Sequence, residues 1–362
     1  MAAASLRRHV LLALAALALG LNAPALRAQV VAVPYYDAPA YTAALLAHGE
    51  LPRALALQRE SAALQQALQR LCEQRTDKTA LAAAREQWRA ATSAWDALYA
   101  VAVGPTVEQR SARSIDFWPA RPQSIRRAID SAPGDLQALE RIGAPAKGLP
   151  ALEWLLWPGE AARSEAACRY AALLASDVAR EADALAHGFS QQAGRDWKEE
   201  GEAASAFASE AINQWLGGLE QLRWRMLGKP LAAGRRDEFP RVASGSTTET
   251  WRAHWGTLSS LAVGPAPNDG FGPAPAVPPG VVTIEAYLRG RGNNPQADTW
   301  KRAVLRADRA LQPLWRGKSQ GLPGNAAMKS AVQALDALKR TLQAEVAPTL
   351  EVTLGFSDAD GD

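Results

Sequence analysis

Histidine and cysteine are scarce in this chain, with four and two respectively in 362 residues. Beyond an N-terminal leader, only His48, His187 and His254 remain, and none stands in an H-E-x-x-H or H-x-x-E-H pattern, so the usual zinc-peptidase helix is missing. No stretch sustains polar–apolar alternation, which argues against a sheet. No apolar run is long enough to span a bilayer. Nor does one sign of charge dominate. Forty Lys and Arg against 37 Asp and Glu give a net charge of +3, leaving no basic footprint for nucleic acid. "GRG" at 290–292 and "GGL" at 217–219 are too short for phosphate loops. The tail Asp358-Ala-Asp360-Gly361-Asp362 starts like a calcium loop but stops before the distal acid such a loop needs, and it reads as a frayed acidic end.

The N-terminus reads as a secretory signal. Arg7, Arg8 and His9 precede the apolar run from Val10 to Leu21, and small residues follow, with cleavage expected after Ala28 or, as a rival, after Ala25. No cysteine follows the run, so lipid attachment there lacks its acceptor. Losing residues 1–28 removes Arg7, Arg8 and Arg27 and no acid, taking the formal charge from +3 to 0, so the pI of about 8.9 overstates the basicity. The expected product is exported, periplasmic and without a transmembrane segment. In that oxidising space Cys72 and Cys168 are expected to form a disulfide, with two buried thiols as the alternative. Closing so long a loop stabilises a fold by about 4 to 5 kcal/mol in the chain-entropy treatment.

Apolar residues recur at helical spacing. Leu55, Leu57, Leu64, Leu68 and Leu71, then, past Thr76-Asp77, Leu81, Trp88, Trp95 and Leu98, predict an antiparallel helix pair. Further helices are predicted over 134–142, 149–157, 163–187, 196–227, 247–262, 281–289, 297–315 and 325–347. The expected class is all-α. The twelve tryptophans fall mostly on apolar stripes and read as core. The Pro- and Gly-rich stretch 264–280 cannot carry a helix and reads as a surface loop.

Internal echoes suggest a duplication. Glu86-Gln-Trp88-Arg89-Ala90 and Ala102-Val-Gly104-Pro105 recur as Glu249-Thr-Trp251-Arg252-Ala253 and Ala262-Val-Gly264-Pro265. Gly148-x-x-x-Leu152-Glu153 recurs as Gly280-x-x-x-Ile284-Glu285, and Leu227-Gly228 as Leu354-Gly355. The order is kept while the gaps shrink. We expect a signal segment, 1–28, and two up-and-down helical bundles side by side: a first over 29–230 and a shorter second over 231–362.

The succession "EQWRAATSAWDALYAVAVGP", "DFWPARP", "AKGLPALEWLLW", "GGLEQLRWRMLGKPL" and "LGFSDADGD" resembles the imelysin family, also labelled peptidase family M75 or iron-regulated protein A-like, and within it the periplasmic lipoprotein branch. The resemblance implies a fold of two related helical bundles with a site where they meet, a link to iron uptake or regulation, and partners in the periplasmic metal-uptake machinery. It also implies a divalent metal or iron as cofactor, through a Gly-x-His-x-x-Glu signature whose His and Glu share one helix face. Here Gly148 and Glu153 match, but Pro150 replaces the histidine. Proline offers no lone pair to a metal, although its fixed φ suits a helix's first turn. Glu153 is then either an altered site residue, the only metal ligand the motif retains, or an ordinary charge near a helix N-terminus.

The same resemblance implies site roles for Trp118 and Arg121 of "DFWPARP" and for Arg241 and Ser244 of "PRVASGSTTETW". The plain alternatives are a Trp-Pro loop anchor with a solvated arginine, and Ser246 or Thr247 as an N-cap completed by Glu249. Glu285, the repeat partner of Glu153, is expected either to face it across a pseudo-twofold axis or to be surface charge. Two function classes follow. One is a periplasmic binding or accessory protein in iron or other metal handling. The other is a metal-dependent peptidase, disfavoured by the missing histidine, and a branch that has lost its metal and recognises an organic ligand or a partner protein stands as a third reading.

Overall fold

Asp37 starts the first helix by accepting a hydrogen bond from the Ala40 N–H at 2.8 Å, with Pro39 in the first turn where its missing N–H costs nothing. The computed structural model describes residues 34–264, 277–315 and 321–355, and every regular element among them is helical. Helix α1 (Ala38–Ala44) passes through a π-helical stretch, Leu45–Glu50, into α2 (Leu51–Glu73). Asp77 then caps α3 (Lys78–Tyr99), accepting from the Thr79 N–H at 2.8 Å. The predicted pair therefore forms. Leu57, Leu64, Leu68 and Leu71 of α2 and Trp88, Trp95 and Leu98 of α3 are fully buried, whereas Leu55 faces solvent.

After α4 (Gly148–Leu156), the long α5 (Glu165–Ala193) packs along α2. Cys72 of α2 and Cys168 of α5 are disulfide-bonded with Cα atoms 5.5 Å apart, tying positions 96 residues distant. Helix α6 (Gly201–Glu220) runs into a second π-helical stretch, Gln221–Gly228. Then come α7 (Thr247–Ala262), α8 (Ile284–Gly290), α9 (Asn294–Leu311) and α10 (Asn325–Thr341), with α9 and α10 packed as a pair. Short helices the periodicity did not predict, Pro105–Glu108, Ser111–Ile115 and Pro122–Asp130, fill the connection between α3 and α4.

Helices early and late in the sequence are packed into one core. Helix α7 lies against α3, and α1 against α6, where the Thr42 hydroxyl donates to the Ala204 carbonyl at 2.9 Å. Tyr41 stacks on Tyr287 of α8 at 4.7 Å between ring centroids. Gly218 lets α6 approach the end of α3, since a Cβ there would stand 1.8 Å from the Ala100 carbonyl oxygen. Buried indoles tie the elements by hydrogen bonds as well as by area: Trp88 donates to Leu149 O, Trp215 to Leu258 O and Trp300 to Ala262 O, each at 2.9 Å. No described helix is long and apolar enough to cross a membrane. The signal segment 1–28, positions 265–276 of the Pro/Gly-rich stretch and the tail 358–362 lie outside the described residues.

Candidate functional site

Gly148 opens α4 in the left-handed region, with φ of 69°. A Cβ there would lie 2.2 Å from the backbone oxygen of Ile115, so only glycine lets the start of α4 touch the loop that carries Asp116, Phe117 and Trp118. Pro150 sits in the first turn of α4, where a backbone N–H would have no intrahelical partner and its absence costs nothing. Just ahead of the helix, the Ala146 carbonyl accepts from the Tyr170 hydroxyl of α5 at 2.7 Å. The proline therefore keeps the helix start, and α5 anchors the chain that leads into it.

Glu153 is 7% exposed, and its Oε1 accepts the backbone N–H of Ser244 at 2.9 Å. Ser244 belongs to a tight turn that leads into α7. The Ser244 hydroxyl and the Ser246 N–H both donate to the Arg241 carbonyl at 3.0 Å, and Arg89 donates to the Ser244 carbonyl at 3.1 Å. Arg241 and Gly245 are both left-handed, with φ of 61° and 70°. For arginine that conformation costs on the order of 1 to 3 kcal/mol, and such residues persist where their surroundings hold them and cluster at functional sites. The Ser246/Thr247 capping box is overturned. Ser246 makes no capping bond and its buried Oγ has no partner, while the Thr247 hydroxyl donates to the Pro240 carbonyl at 2.7 Å. The chain enters α7 from a turn held by Glu153, and Ser246, with φ of −99° and ψ of 14°, lacks the extended backbone from which a serine usually caps.

The turn presents Arg241, 2% exposed, to Asp116, with Nη2 donating to Oδ1 at 2.7 Å. Trp95 Nε1 donates to the other oxygen of Asp116 at 3.1 Å. Asp96, one residue along α3, is 4% exposed. Burial pushes its carboxyl up to about 7, opposed by Arg241, while Asp116 raises it and the Thr250 hydroxyl lowers it. Burial works against the charge on Arg241, yet Asp116, Asp96 and Glu153 together hold its pKa above the ordinary value. Three polar atoms of this cluster have no hydrogen-bond partner, Nε and Nη1 of Arg241 and Oδ2 of Asp96, although the Arg241 guanidinium lies over the Trp88 ring at 5.6 Å. Unsatisfied polar atoms at such burial are costly, on the order of 1 to 3 kcal/mol each, and call for an explanation.

A cavity of about 320 Å3 lies against these groups. Its wall takes Asp96 and Tyr99 from α3, Ala112 and Arg113 from the short helix Ser111–Ile115, and Asp116, Phe117 and Trp118 from the loop that Gly148 admits. The π-helical stretch after α6 contributes Gln221, Arg225 and Met226, and Pro240, Arg241 and Thr250 complete the wall. Arg225 donates to the Trp118 carbonyl at 3.3 Å, clasping the loop to the π-helical stretch. The wider turns of a π-helix recur at functional sites, and here one supplies a polar, a cationic and an apolar wall residue.

Trp118 and Arg241 line this cavity, and Glu153, Ser244 and Gly148 stand behind it as the residues that place the turn and the loop. Arg121 does not join them. Its N–H donates to the Pro145 carbonyl at 2.9 Å while its side chain is exposed. Glu285 is also elsewhere. Its carboxylate accepts from the Gly264 N–H at 3.2 Å and is paired with Arg289 at 2.9 Å and Lys301 at 3.7 Å, so it does not face Glu153. The residues that sequence reasoning missed are Asp96, Asp116, Arg113, Tyr99, Gln221, Arg225 and Thr250. A signal existed for two: Asp96 is an acid next to Trp95 on an apolar stripe, and Asp116 opens the "DFWPARP" loop.

The metal implied at Glu153 does not fit the residues present. Pro150 offers no donor, Oε1 already accepts an N–H, and the neighbouring charge is the Arg241 cation. Among the described residues, no group of three or more His, Cys, Asp or Glu is placed to hold a metal ion.

Known proteins place the chain. The profile of the imelysin family, peptidase family M75, matches residues 50–344. "Iron-regulated protein A" of Synechococcus elongatus is 26% identical over 204 residues, 53% of this chain and 55% of that protein, so the match spans little more than half of the relative's length. An imelysin-like protein from Psychrobacter arcticum 273-4 superposes with a TM-score of 0.67 at 18% identity, covering 90% of this chain and 100% of that one. An iron-regulated protein A precursor from Parabacteroides distasonis ATCC 8503 gives 0.68 at 16% identity, covering 86% and 95%. At these identities the two structures speak for the all-helical fold.

Proposed function

The chain belongs to the imelysin family, and on that premise we propose that it is an exported, periplasmic binding protein acting as an accessory in iron handling, whose cavity holds a small organic molecule rather than a bare metal ion. The carrying observation is the cavity of about 320 Å3 walled by Arg241 and Asp96, two buried ionisable groups that keep polar atoms without partners. Its size suits a small-molecule site. The iron context comes from the relative named "Iron-regulated protein A", and export from the signal-like leader. The proposed partner is the metal-uptake machinery of the same compartment.

The proposal includes the organisation into bundles over 29–230 and 231–362. Two parallels support it: Gly148 and Gly280 are both left-handed, with φ of 69° and 89°, and Glu153 and Glu285 are both 7% exposed and both accept a backbone N–H. On this reading the cavity draws its wall from either side of the seam. The metallopeptidase alternative needs three protein ligands with an open position and a base beside them, and no observation favours it.

A thermal-shift screen of the exported protein against organic acids, amines, and iron, zinc and copper salts tests the proposal. The expectation is an organic compound that raises the Tm of the wild type but not of Ala112→Trp, which fills the cavity. A metal salt whose effect survives Ala112→Trp and vanishes in Glu153→Gln would overturn it.

A further inference from the structure

The unpartnered atoms in the cavity wall differ in kind, and the difference selects a ligand. Arginine can only donate. With Nη2 of Arg241 committed to Asp116 at 2.7 Å and the guanidinium over the Trp88 ring at 5.6 Å, the buried Nε and Nη1 still lack an acceptor, which a ligand oxygen would supply once the side chain turns toward the cavity it lines. Asp96 Oδ2 accepts when ionised and donates when protonated. Beside them the wall is aromatic, with Tyr99, Phe117 and Trp118, and Phe117 is 37% exposed.

We propose that the cavity takes a carboxylate borne on a small aromatic body, held between Arg241 and the Asp96 carboxyl as a shared-proton pair, and that binding takes up one proton from solvent. This rests on the cavity being the ligand site. A carboxylate brought against Arg241 also meets Asp96, and two carboxylates at one site cannot both stay ionised at little cost. One proton from water resolves the clash: it sits on Asp96 and is donated to the ligand carboxylate, so the Asp96 acid and the ligand anion share one negative charge between them. No bond other than hydrogen bonds forms or breaks.

The charged surroundings fit. Arg241 and Asp116 face Asp96 from the turn and the loop, Arg113 and Arg225 stand on the same wall, and Glu153 acts on Arg241 from behind. Among the described residues, no histidine lines the cavity. Burial already pushes Asp96 up to about 7, so a second anion raises it further and makes the uptake close to complete at pH 8. A phosphate dianion would face both aspartates with more charge than one proton relieves. An ammonium ligand would meet the cation of Arg241 and, by fixing Asp96 ionised, would release a proton instead.

Calorimetric titration of the full exported chain in buffers of different ionisation heat, with benzoate, benzylamine and phenylalanine as probes between pH 6 and 8.5, reads the sign directly. Benzoate should bind with uptake of close to one proton at pH 8, and its affinity should fall by about tenfold per pH unit above the free-state value of Asp96. Asp96→Asn, whose amide donates where the protonated acid did, should still bind benzoate, with no proton uptake and no pH dependence. Proton release, preference for benzylamine or phenylalanine, or loss of benzoate binding in a folded Asp96→Asn protein overturns the inference. If none of the three probes binds but another compound is blocked by Ala112→Trp, this inference fails and the binding-protein reading stands. If Ala112→Trp blocks no compound of any class, both fail.

Discussion

Glu153 offers the most direct check on how the site is assembled, because the structure assigns it to positioning and the family signature assigns it to a metal. Its Oε1 holds the buried Ser244 N–H at 2.9 Å and thereby the turn that aims Arg241. Glu153→Ala leaves that N–H without a partner, at a cost of about 1 to 3 kcal/mol. It also removes one buried methylene, worth about 0.8 kcal/mol. With the loss of a negative charge beside Arg241, the sum is on the order of 2 to 4 kcal/mol. Glu153→Gln keeps an oxygen acceptor of the same reach and should lose no more than about 1 kcal/mol, the difference between a charged and a neutral acceptor. Urea unfolding of the three proteins measures this ordering. Since Arg241 is the floor of the cavity, ligand affinity should fall in Glu153→Ala and persist in Glu153→Gln. The reasoning is refuted if Glu153→Ala lies within about 0.5 kcal/mol of wild type, or if Gln is as damaging as Ala, the outcome expected of a metal ligand rather than of a hydrogen-bond acceptor.

Two further outcomes follow from the same physics. Gly148→Ala forces a Cβ to 2.2 Å from Ile115 O at φ of 69°, so it should destabilise by about 3 kcal/mol or more and disturb the Asp116 loop; an unchanged urea midpoint would contradict the close approach. Glu50 is fully buried in the π-helical stretch before α2, with one oxygen on Arg53 at 3.0 Å and the other unpartnered, and burial pushes it up to about 7 against the pull of Arg53. A raised folded value means that its stabilising protonation is complete below the unfolded value of 4.5 and is lost as pH rises through about 7. Glu50→Gln, neutral at every pH and still an acceptor for Arg53, should therefore gain on the wild type by roughly 2 to 3 kcal/mol between pH 5 and pH 8 in urea unfolding, at about 1.4 kcal/mol per pKa unit. A difference that does not move with pH would show that the carboxyl titrates normally.

The helices were legible because their signal is local. The stripe Leu57, Leu64, Leu68, Leu71 and its partner Trp88, Trp95, Leu98 are buried as their spacing required, and α7 begins and ends where the pattern put it. The π-helical stretches were not legible, since spacing alone does not tell a wider turn from an ordinary one, and the helix predicted over 196–227 runs straight through the stretch Gln221–Gly228. Of the short helices between α3 and α4, Pro105–Glu108 and Ser111–Ile115 span too few turns for periodicity to register, and nothing in the spacing marks Pro122–Asp130.

The site was half legible for a related reason. The glycine, proline and acid of "GLPALE" announce themselves as a pattern, but what each one does depends on residues far along the chain. Gly148 meets Ile115, the Ala146 carbonyl just ahead of the helix meets the Tyr170 hydroxyl, and Glu153 holds a backbone N–H 91 positions later. Asp116 and Arg241 are separated by 125 positions, and no spacing rule brings them together. What the family signature would place on one helix face, two ligands for one cation, this chain has divided: the first position starts the helix, and the second reaches across to another segment and sets an arginine in a left-handed turn. An arginine so placed faces two aspartates with two of its nitrogens lacking a hydrogen-bond partner, and it is this donor set, not a pair of metal ligands, on which the proposed anion site rests.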